Sequence, residues 1–443
     1  MSQAHNSMAQ RHHLINPAIL NPEFQKWIRH TQYSLEEIAF APLPFEGVSR
    51  QELLQQVEGF RKTSLKIIDW AEILGLVFPA KISIEQCSSK ATGAYKSQIA
   101  RRLILDKTAE LKFPQKTKQS LKTIADLTGG FGVDSYYFAQ IGARVHHFEV
   151  DKSLSQIVAH NMAQLKAEVH CHPGDGIRGV QDLNENLALI YLDPARRDAQ
   201  QNKVFRLEDC TPDILTHLED LLDISSIILL KTSPMLDLHL GLNQLKWVTE
   251  IHVVAINNEV KEILWVIQKN KIQNQIPQVF AVNLSEEAYN LNSDLSDFRS
   301  RSKSLDKSLI YEFQWNRPEV SHFSPPLNYL YEPNAPLRKI GQYGRLMEQF
   351  PILRIGHNAH LFTAKEYLNF PGRIFQVKDK WPYTKRIFKQ FKGGQYNITT
   401  RDFPQSVAQI RALGQLRDGG QNYLFFTTDA QGQKWIILCQ KPE

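Results

Sequence analysis

The spacing of apolar residues differs between the beginning and the middle of the chain. Up to about residue 115 the apolar positions recur every three or four residues, which predicts amphipathic helices, and several of these runs open with a serine that could cap a helix. From about residue 118, apolar runs alternate with helical stretches, which is typical of a parallel sheet with helices on both faces. The predicted helices of the first part span residues 23–31, 34–39, 49–62 and 64–74.

Residues 86–118 lie before the alternating part. They combine hydroxyl side chains with several basic residues, which fits a solvated helix and a substrate contact equally well.

The alternating part of the chain predicts a sheet with helices between its strands. The predicted helices of the alternating part include 153–165 and 212–222. Its predicted strands are 123–127, 144–150, 168–170, 187–192, 227–231, 251–257, a returning strand within 257–267, and 278–283.

The composition changes again after Leu284. Residues 290–304 are poor in apolar residues and rich in serine and charge, which is typical of a mobile surface segment. A smaller α/β unit is predicted after it, and the chain ends in a predicted hairpin of strands 423–427 and 435–439. The elements predicted for the smaller unit are a strand at 309–314, an amphipathic helix at 334–349, and strands at 361–363 and 373–377. The predicted domains are 1–117 (helical), 118–284 (Rossmann-like α/β), 285–370 (linker and small α+β domain) and 371–443 (small α+β domain).

A turn rich in glycine joins the first predicted strand to the next helix. Gly129, Gly130 and Gly132 permit positive φ values and let a ligand approach the main chain. The free N–H groups at the start of the helix also favour a polar ligand. The dinucleotide fingerprint G-x-G-x-x-G/A is not matched, because Ser135 occupies its last position. The turn therefore predicts a ligand of another kind.

Two carboxylates flank this turn. Asp126, on the strand before the glycines, would repel a pyrophosphate and attract a cationic ligand. Glu149, at the end of the second predicted strand, is placed to accept hydrogen bonds from a ribose diol. An acid, a glycine turn and a second acid together suit an adenosine that carries a positively charged amino-acid tail, as S-adenosylmethionine does.

The segment 126–132 resembles the first motif of the class I S-adenosylmethionine-dependent methyltransferases. Other segments resemble a bacterial sub-family of these enzymes with ferredoxin-like and THUMP-like C-terminal domains: 85–89 with Tyr95 and Lys96, 193–197, 257–262 and 418–428. The resemblance extends from about residue 75 to the C-terminus. It implies a Rossmann-like methyltransferase sheet with S-adenosylmethionine as cofactor, bound by Asp126, Thr128, Gly130, Gly132, Glu149 and Asp175. Asp175 could accept the adenine amine or be an ordinary acid in a turn between two glycines.

The segment 193–198 follows the fourth predicted strand. It resembles the motif of an acid or amide, two prolines and an aromatic residue in methyltransferases that act on exocyclic base amines. The resemblance implies that the Asp193 carboxylate and the Pro194 carbonyl accept the two amine hydrogens and direct the nitrogen lone pair at the methyl group. Arg196 departs from the motif, because the motif has at this position an aromatic residue that stacks on the base. With Arg197 it could clamp a phosphate or join a structural network of ion pairs.

A D-P-x-R segment also occurs in uracil-5 methyltransferases, whose nucleophilic cysteine lies near the end of the next strand. Thr232 occupies the corresponding position here. Without a thiol, covalent addition to a pyrimidine ring is not expected. The predicted catalytic residues are therefore Asp193, Pro194 and Arg196, and the predicted acceptor is a base nitrogen such as the exocyclic amine of guanine or adenine.

Positive charge is concentrated near the C-terminus. The net charge of the chain is +6, but residues 373–417 hold ten basic and two acidic residues, so the remainder is slightly negative. Aromatic residues are interleaved with these charges, which fits a surface that stacks unpaired RNA bases and fits equally a small domain with an aromatic core. The THUMP-like resemblance favours RNA, either tRNA or rRNA, as the partner. The predicted RNA contacts are Lys378, Lys385, Arg386, Lys389, Lys392 and Arg401.

The composition narrows the remaining classes of function. A hydrophobic fraction of 42%, with no apolar run of membrane-spanning length and no signal-peptide core, predicts a cytoplasmic globular protein. The four cysteines are far apart and the histidines lack ligand spacing, so neither a disulfide framework nor a metal site is predicted. Two alternatives to an RNA methyltransferase stay open. One is a small-molecule or protein methyltransferase, and the other is a non-catalytic RNA-binding protein with a vestigial cofactor fold.

Overall fold

The computed structural model describes residues 15–110, 123–196, 206–269, 276–285, 309–315 and 322–442. The chain divides into two compact units. The first comprises Met1–Ile251, Glu262–Gln275 and Ser285–Leu305, and the second comprises His252–Lys261, Ile276–Leu284 and Asp306–Glu443. The mobile segment predicted at 290–304 and the predicted role of Arg197 lie outside the described residues. The four predicted domain ranges stay predictions.

The N-terminal part of the first unit is helical, as its apolar spacing predicts. Ser34 and Ser49 cap two of the helices, and each forms a reciprocal capping box with a glutamate three residues later. The helices are α1 (Pro22–His30), α2 (Leu35–Phe40), α3 (Arg50–Lys66), α4 (Ile68–Ala71), α5 (Lys81–Gln86) and α6 (Lys90–Glu110), preceded by a 3-10 turn at Pro17–Leu20.

The helix predicted at 64–74 is wrong. Ser64 does not begin a helix, because it lies inside α3 and its hydroxyl donates to the Arg61 carbonyl at 2.9 Å. The chain leaves helical geometry at Ile67, which has a φ of −136° and a ψ of 70°. Only the short α4 follows.

The interpretation of residues 86–118 as a solvated helix is wrong for residues 91–100, the central part of α6. Every residue of α6 from 91 to 100 is buried, including Lys96, which has no exposed surface. A helix that is buried on all faces lies inside a fold rather than at its edge.

A mostly parallel sheet forms the centre of the first unit. Within this unit the strand order is β9-β7-β4-β1-β2-β3, so β1 lies between β4 and β2 and is parallel to both. The strands are β1 (Thr123–Asp126), β2 (Arg144–Glu149), β3 (Val169–Pro173), β4 (Leu189–Leu192), β5 (Ala195–Arg196), β6 (Cys210–Thr211), β7 (Ile227–Thr232), β8 (Val248–Ile256) and β9 (Glu259–Gln268), with β5 and β6 forming a separate pair. The strand order reverses on the two sides of β1, which in doubly wound sheets is where ligands bind.

Helices connect these strands, and four of them, α8 to α11, begin with an aspartate cap. The Asp151 carboxylate accepts N–H groups at the start of α8, and the Asp213 carboxylate does so at the start of α10. The helices are α7 (Val133–Gln140), α8 (Lys152–Gln164), α9 (Gly176–Asp182), α10 (Ile214–Ile224) and α11 (Leu238–Gln244), with a 3-10 turn at Leu207–Asp209.

The second unit includes an antiparallel pair, β10 (Gln278–Leu284) and β11 (Leu309–Gln314). The strand predicted at 309–314 is confirmed, and its assignment to the small C-terminal domain stays a prediction. Val279 pairs with Phe313 and Ala281 with Tyr311, so β11 belongs with β10. A strand's partner depends on contacts far along the chain, which its own residues do not specify.

The rest of the second unit is built on a seven-stranded sheet, in the order β13-β14-β12-β15-β18-β17-β16. Its strands are β12 (Tyr329–Pro333), β13 (Leu353–Arg354), β14 (Phe362–Ala364), β15 (Gly372–Pro382), β16 (Asn397–Arg401), β17 (Tyr423–Thr428) and β18 (Lys434–Gln440). Its helices are α12 (Ala335–Ile340), α13 (Tyr343–Gln349), α14 (Lys385–Phe388) and α15 (Val407–Gly414), with a 3-10 turn at Lys389–Phe391.

Two local predictions for this unit have opposite outcomes. The hairpin between β17 and β18 is confirmed, with Thr428 opposite Lys434. The single helix predicted at 334–349 is wrong, because Gly341 adopts a left-handed φ of 69° and ends α12 before α13 begins.

Candidate active site

The glycine turn lies between β1 and α7, at the carboxyl end of β1. Gly130 and Gly132 have φ values of 53° and 81°, which favour glycine. A side chain at Gly130 would meet only the Thr128 carbonyl oxygen, 4.0 Å away, whereas one at Gly129 would lie 2.1 Å from the His147 ring. The turn therefore packs tightly against β2 at Gly129 and presents bare main chain at Gly130.

Asp126, the last residue of β1, is 1% exposed. Its carboxylate accepts hydrogen bonds from Ser135 Oγ at 2.6 Å and from the Thr128 N–H at 3.2 Å. Burial raises the pKa of Asp126 to about 7, although the hydrogen bond from Ser135 opposes this shift. Asp126 thus ties the glycine turn to α7, and its predicted contact with a cofactor stays a prediction.

Glu149 lies on the opposite side of the turn, at the end of β2. One carboxylate oxygen accepts the Gly130 N–H at 3.0 Å, and the other accepts the Asp151 N–H at 2.8 Å. A carboxylate offers about four acceptor positions, so Glu149 can still receive two hydroxyl groups.

Asp175 is exposed and caps α9. Its Oδ1 accepts the Arg178 N–H at 3.1 Å. This is the behaviour of the turn acid considered from the sequence, and the adenine contact stays a prediction. The neighbouring Gly174 donates its N–H to the Glu149 carbonyl at 2.8 Å, so Asp175 follows a segment joined to the end of β2.

Asp193 directly follows β4, the neighbour of β1. Its N–H donates to Thr128 Oγ1 at 2.6 Å, which joins the predicted catalytic segment to the glycine turn. About a third of the Asp193 side chain is exposed, and Pro194 is buried. The main chain of Arg196 pairs with that of Cys210. The predicted catalytic roles of these residues stay predictions.

Lys231, near the end of β7, is absent from the site predicted from the sequence. Its ammonium group forms an ion pair with the Asp193 carboxylate. Burial alone would lower the pKa of Lys231, but the carboxylates of Asp193, Glu262 and Asp134 raise it above its ordinary value. Lys231 is therefore a cation at neutral pH. The signal in the sequence was its position, because β7 ends at the same edge of the sheet as β4.

A second buried lysine, Lys96 of α6, lies in the same unit. Its Nζ is 2.8 Å from the Glu262 carboxylate and 3.3 Å from that of Asp134, and it donates to Ser88 Oγ at 2.9 Å. Asp134 also accepts a hydrogen bond from the Tyr191 hydroxyl at 2.8 Å. Buried charges of this kind are tolerated only when they are paired and hydrogen-bonded.

The sequence resemblance had marked three members of this network separately. Ser88 lies in the segment 85–89, Lys96 follows it on α6, and Glu262 ends the segment 257–262. The structure joins all three in one network, because Lys96 Nζ donates to both Ser88 and Glu262. Two lysines face three carboxylates, those of Asp134, Asp193 and Glu262, so the network has one excess negative charge when all are ionised.

This arrangement fits S-adenosylmethionine. The bare main chain at Gly130 leaves room for a ligand, and Glu149 retains acceptor positions for a diol. The residues that would hold the cofactor are therefore the glycine turn and Glu149.

The predicted RNA contacts lie in the second unit. Lys378, Lys385, Arg386, Lys389 and Lys392 are all exposed, and the last four lie on or directly after α14 and the 3-10 turn that follows it. These four residues are called the basic segment below.

Arg401 differs from the other predicted RNA contacts. Its guanidinium group binds the Glu332 carboxylate, which is 1% exposed and also pairs with Arg338 and Arg373. Burial alone would raise the pKa of Glu332, but the three arginines lower it below its ordinary value. Arg401 thus has a partner inside the fold, and its contact with RNA stays a prediction.

The aromatic residues among these charges belong to the core. Phe388 and Phe391 are buried, and Trp381, Tyr383 and Tyr396 pack against the same cluster. Of the two interpretations considered from the sequence, the aromatic core is the one observed.

The histidine groups also have local partners. His146 Nδ1 lies 2.9 Å from His172 Nε2, and His360 Nδ1 lies 2.7 Å from the Tyr343 hydroxyl. Within the described ranges, no group of three or more His, Cys, Asp or Glu is arranged to hold a metal ion. No helix in the described part of the chain has the length and apolarity needed to cross a membrane.

Comparison with known families identifies the C-terminal part. Residues 329–371 match a ferredoxin-like domain, and residues 372–441 match a domain described as THUMP domain-like. None of the curated proteins matches the chain.

Solved structures extend the comparison to the whole chain. A protein from Porphyromonas gingivalis W83, provisionally described as a methyltransferase, is 27% identical, with a TM-score of 0.75 over 95% of this chain and 97% of its own. A Pyrococcus horikoshii protein provisionally described as an RNA methyltransferase is 19% identical, with a TM-score of 0.31 over 47% of this chain and 98% of its own. A Listeria monocytogenes protein provisionally described as a class I S-adenosylmethionine-dependent methyltransferase is 11% identical, with a TM-score of 0.31 over 61% of this chain and 96% of its own.

These findings confirm two predictions from the sequence. The fold is the Rossmann-like class I methyltransferase fold with small α+β domains at the C-terminus, and the resemblance to methyltransferases that carry ferredoxin-like and THUMP-like domains holds.

Proposed function

We propose that this protein, built as a class I methyltransferase with ferredoxin-like and THUMP-like domains, transfers a methyl group from S-adenosylmethionine to a base nitrogen in structured RNA. The acceptor is an exocyclic amine of tRNA or rRNA, and the reaction takes place in the cytoplasm. The hydrogen bond between Thr128 Oγ1 and the Asp193 N–H is the observation that carries the proposal. It supports a site in which Asp193, which would contact the acceptor base, is held beside the glycine turn, which would bind the cofactor.

In this proposal, each group at the edge of the sheet has a separate task. Glu149 and the main chain at Gly130 bind the adenosine, and the Asp193 carboxylate and the Pro194 carbonyl accept the amine hydrogens. When bound, S-adenosylmethionine supplies the methyl group, whose bond to sulfur breaks with its electron pair left on sulfur as the bond to nitrogen forms. Asp193 accepts the proton that the nitrogen loses. Orientation and charge placement are the main contributions that a protein can make to such a displacement.

The second unit supports RNA rather than a small molecule as the substrate. Four exposed cations in the basic segment form a short positive surface on a domain described as THUMP domain-like. Such surfaces neutralise phosphates and bind RNA in a salt-dependent way. The solved structure from Porphyromonas gingivalis W83 adds support for methyl transfer as the reaction.

The test uses the full-length protein and tritium-labelled S-adenosylmethionine. Calorimetry measures cofactor affinity, and incorporation of label into RNA measures transfer. The RNA comes from a strain that lacks this gene, so that the acceptor position is unmodified. Asp193→Ala should abolish transfer while cofactor affinity changes little. The matched control is Asp220→Ala, because Asp220 is an exposed carboxylate on α10.

Three outcomes would count against the proposal. Full transfer by Asp193→Ala would remove Asp193 from the acceptor site. Cofactor binding without labelled RNA, together with label in protein or small molecules, would favour a methyltransferase of another substrate class. RNA binding without any cofactor binding would favour a non-catalytic RNA-binding protein.

A further inference from the structure

Lys231 brings hydrogen-bond donors to the carboxylate of Asp193. Its Nζ contacts Asp193 Oδ2, which is the single hydrogen-bond acceptor found for this ammonium group among the described residues. An ammonium group has three N–H donors and a carboxylate has two oxygens. With respect to the described part of the chain, the pair therefore retains unused donors on Lys231 and an unused oxygen, Oδ1, on Asp193.

Both members of the pair are held in place. The main chain of Asp193 is fixed through Thr128 Oγ1, and the charge of Lys231 is stabilised by the nearby carboxylates of Glu262 and Asp134. The side chains nevertheless keep exposed surface, 33% for Asp193 and 14% for Lys231. A ligand can thus reach an acceptor and a donor that lie side by side.

We propose that Asp193 and Lys231 together recognise the edge of the acceptor base. Asp193 accepts a hydrogen from the exocyclic amine, and Lys231 donates to an unprotonated ring nitrogen beside that amine. This inference rests on the proposed function and narrows its substrate. The acceptor is a base in which an amine adjoins a ring nitrogen with a free lone pair, which is the arrangement in adenine and cytosine.

Guanine does not match this pair of groups. On its pairing edge the amine adjoins N1–H, a second donor, which would face the Lys231 ammonium. On its other side the amine adjoins N3, which is flanked by the ribose. A site built around fixed polar groups discriminates strongly against a base that leaves them unpaired, on the order of 100-fold or more.

The first experiment identifies the nucleoside that the unaltered protein methylates. RNA from a strain that lacks the gene is labelled with tritiated S-adenosylmethionine, digested to nucleosides and separated by chromatography. Label in N6-methyladenosine or N4-methylcytidine is the expected result, and the two products identify which base is used. Label in N2-methylguanosine, at a ring atom or on a ribose would overturn the role of Lys231 and leave an RNA methyltransferase standing.

A variant pair tests Lys231 directly. Lys231→Met should lower the transfer rate about 10- to 100-fold, because a hydrogen bond from a charged group is lost, while cofactor affinity changes less than about threefold. Lys231→Arg keeps the charge and several donors and should restore part of the rate. Lys246→Met is the matched control, because Lys246 forms an exposed ion pair with Glu219.

The results separate this inference from the proposed function. A folded Lys231→Met variant that labels RNA at the normal rate contradicts the inference alone. If the unaltered protein binds the cofactor but labels no RNA, the proposed function fails, and the inference fails with it. If Lys231→Met does not fold, the nucleoside methylated by the unaltered protein and the rate of Lys231→Arg still decide the question.

Discussion

Thr128 and Asp193 are 65 residues apart in the chain and are joined by a hydrogen bond of 2.6 Å from the Asp193 N–H to Thr128 Oγ1. Thr128 belongs to the glycine turn after β1, and Asp193 follows the neighbouring strand β4. A side-chain oxygen of one loop thus fixes the main chain of the other. Any change that releases this contact should alter the position of the Asp193 carboxylate more than it alters the glycine turn.

Replacing Thr128 with valine should therefore affect transfer more than cofactor binding. Valine has nearly the same shape but offers no acceptor, so the Asp193 N–H would lose its partner at a cost of about 1–3 kcal/mol. We expect a transfer rate at least about tenfold lower, measured by incorporation of label from S-adenosylmethionine into RNA. Thr128→Ser keeps the hydroxyl and should be close to normal. Equal rates for the valine and serine variants would contradict this account.

Binding of S-adenosylmethionine should release protons near pH 7. Burial raises the pKa of Asp126 to about 7, so at this pH about half of the carboxyl groups carry a proton. A cationic ligand nearby favours the ionised form and lowers this pKa, which expels the proton. Calorimetric titrations in buffers of different ionisation enthalpy should show a release of up to about half a proton per cofactor.

The control for this measurement is Asp126→Asn, which cannot titrate. Its binding enthalpy should not depend on the buffer. If the unaltered protein shows no dependence on the buffer, or if the variant shows the same dependence, then Asp126 does not sense the charge of the cofactor.

Replacing Lys96 with methionine should destabilise the first unit strongly. Lys96 has no exposed surface, and its loss would remove the ammonium group that contacts Glu262 and Asp134. Breaking such a buried pair typically costs about 3–5 kcal/mol. Lys96→Met should lower the midpoint of thermal unfolding. The double variant Lys96→Met with Glu262→Gln should recover part of this loss, because the unpaired charge is then removed. Additive effects of the two changes would argue against a coupled network.

The basic segment and Arg401 should respond differently to alanine substitution. Lys385, Arg386, Lys389 and Lys392 are exposed, so their joint replacement should weaken RNA binding with little change in thermal stability. The slope of log affinity against log salt should fall by up to about three, since each phosphate contact contributes about 0.7 with single-stranded RNA.

Arg401→Ala should instead lower the unfolding midpoint, because Glu332 is buried and loses one of its three arginine partners. The measurements are fluorescence titration with RNA at several salt concentrations and thermal unfolding. An unchanged salt slope after the four substitutions would place the RNA-binding surface elsewhere. A stable Arg401→Ala variant with weakened RNA binding would make Arg401 a direct contact.

The local pattern of residues was sufficient for the fold class and for the strands that carry the site. Strands β1 and β4 are short buried runs followed by a turn, and parallel strands end at one edge of the sheet. Asp126, Glu149 and Asp193 therefore had to lie near one another once the sheet was recognised. The glycines of the turn were equally visible, because positive φ values restrict the choice of residue.

The partners of these residues were decided only by the tertiary structure. Lys96 lies 166 residues from Glu262, and Lys231 lies 38 residues from Asp193, so no local spacing indicates either contact. The same holds for Arg401 with Glu332 and for the pairing of β11 with β10. Periodicity reports which face of an element is buried, whereas an ion pair depends on how elements distant in the chain pack. The sequence by itself thus determined a class I methyltransferase fold and the edge at which its acids gather, and packing decided which cation meets which acid.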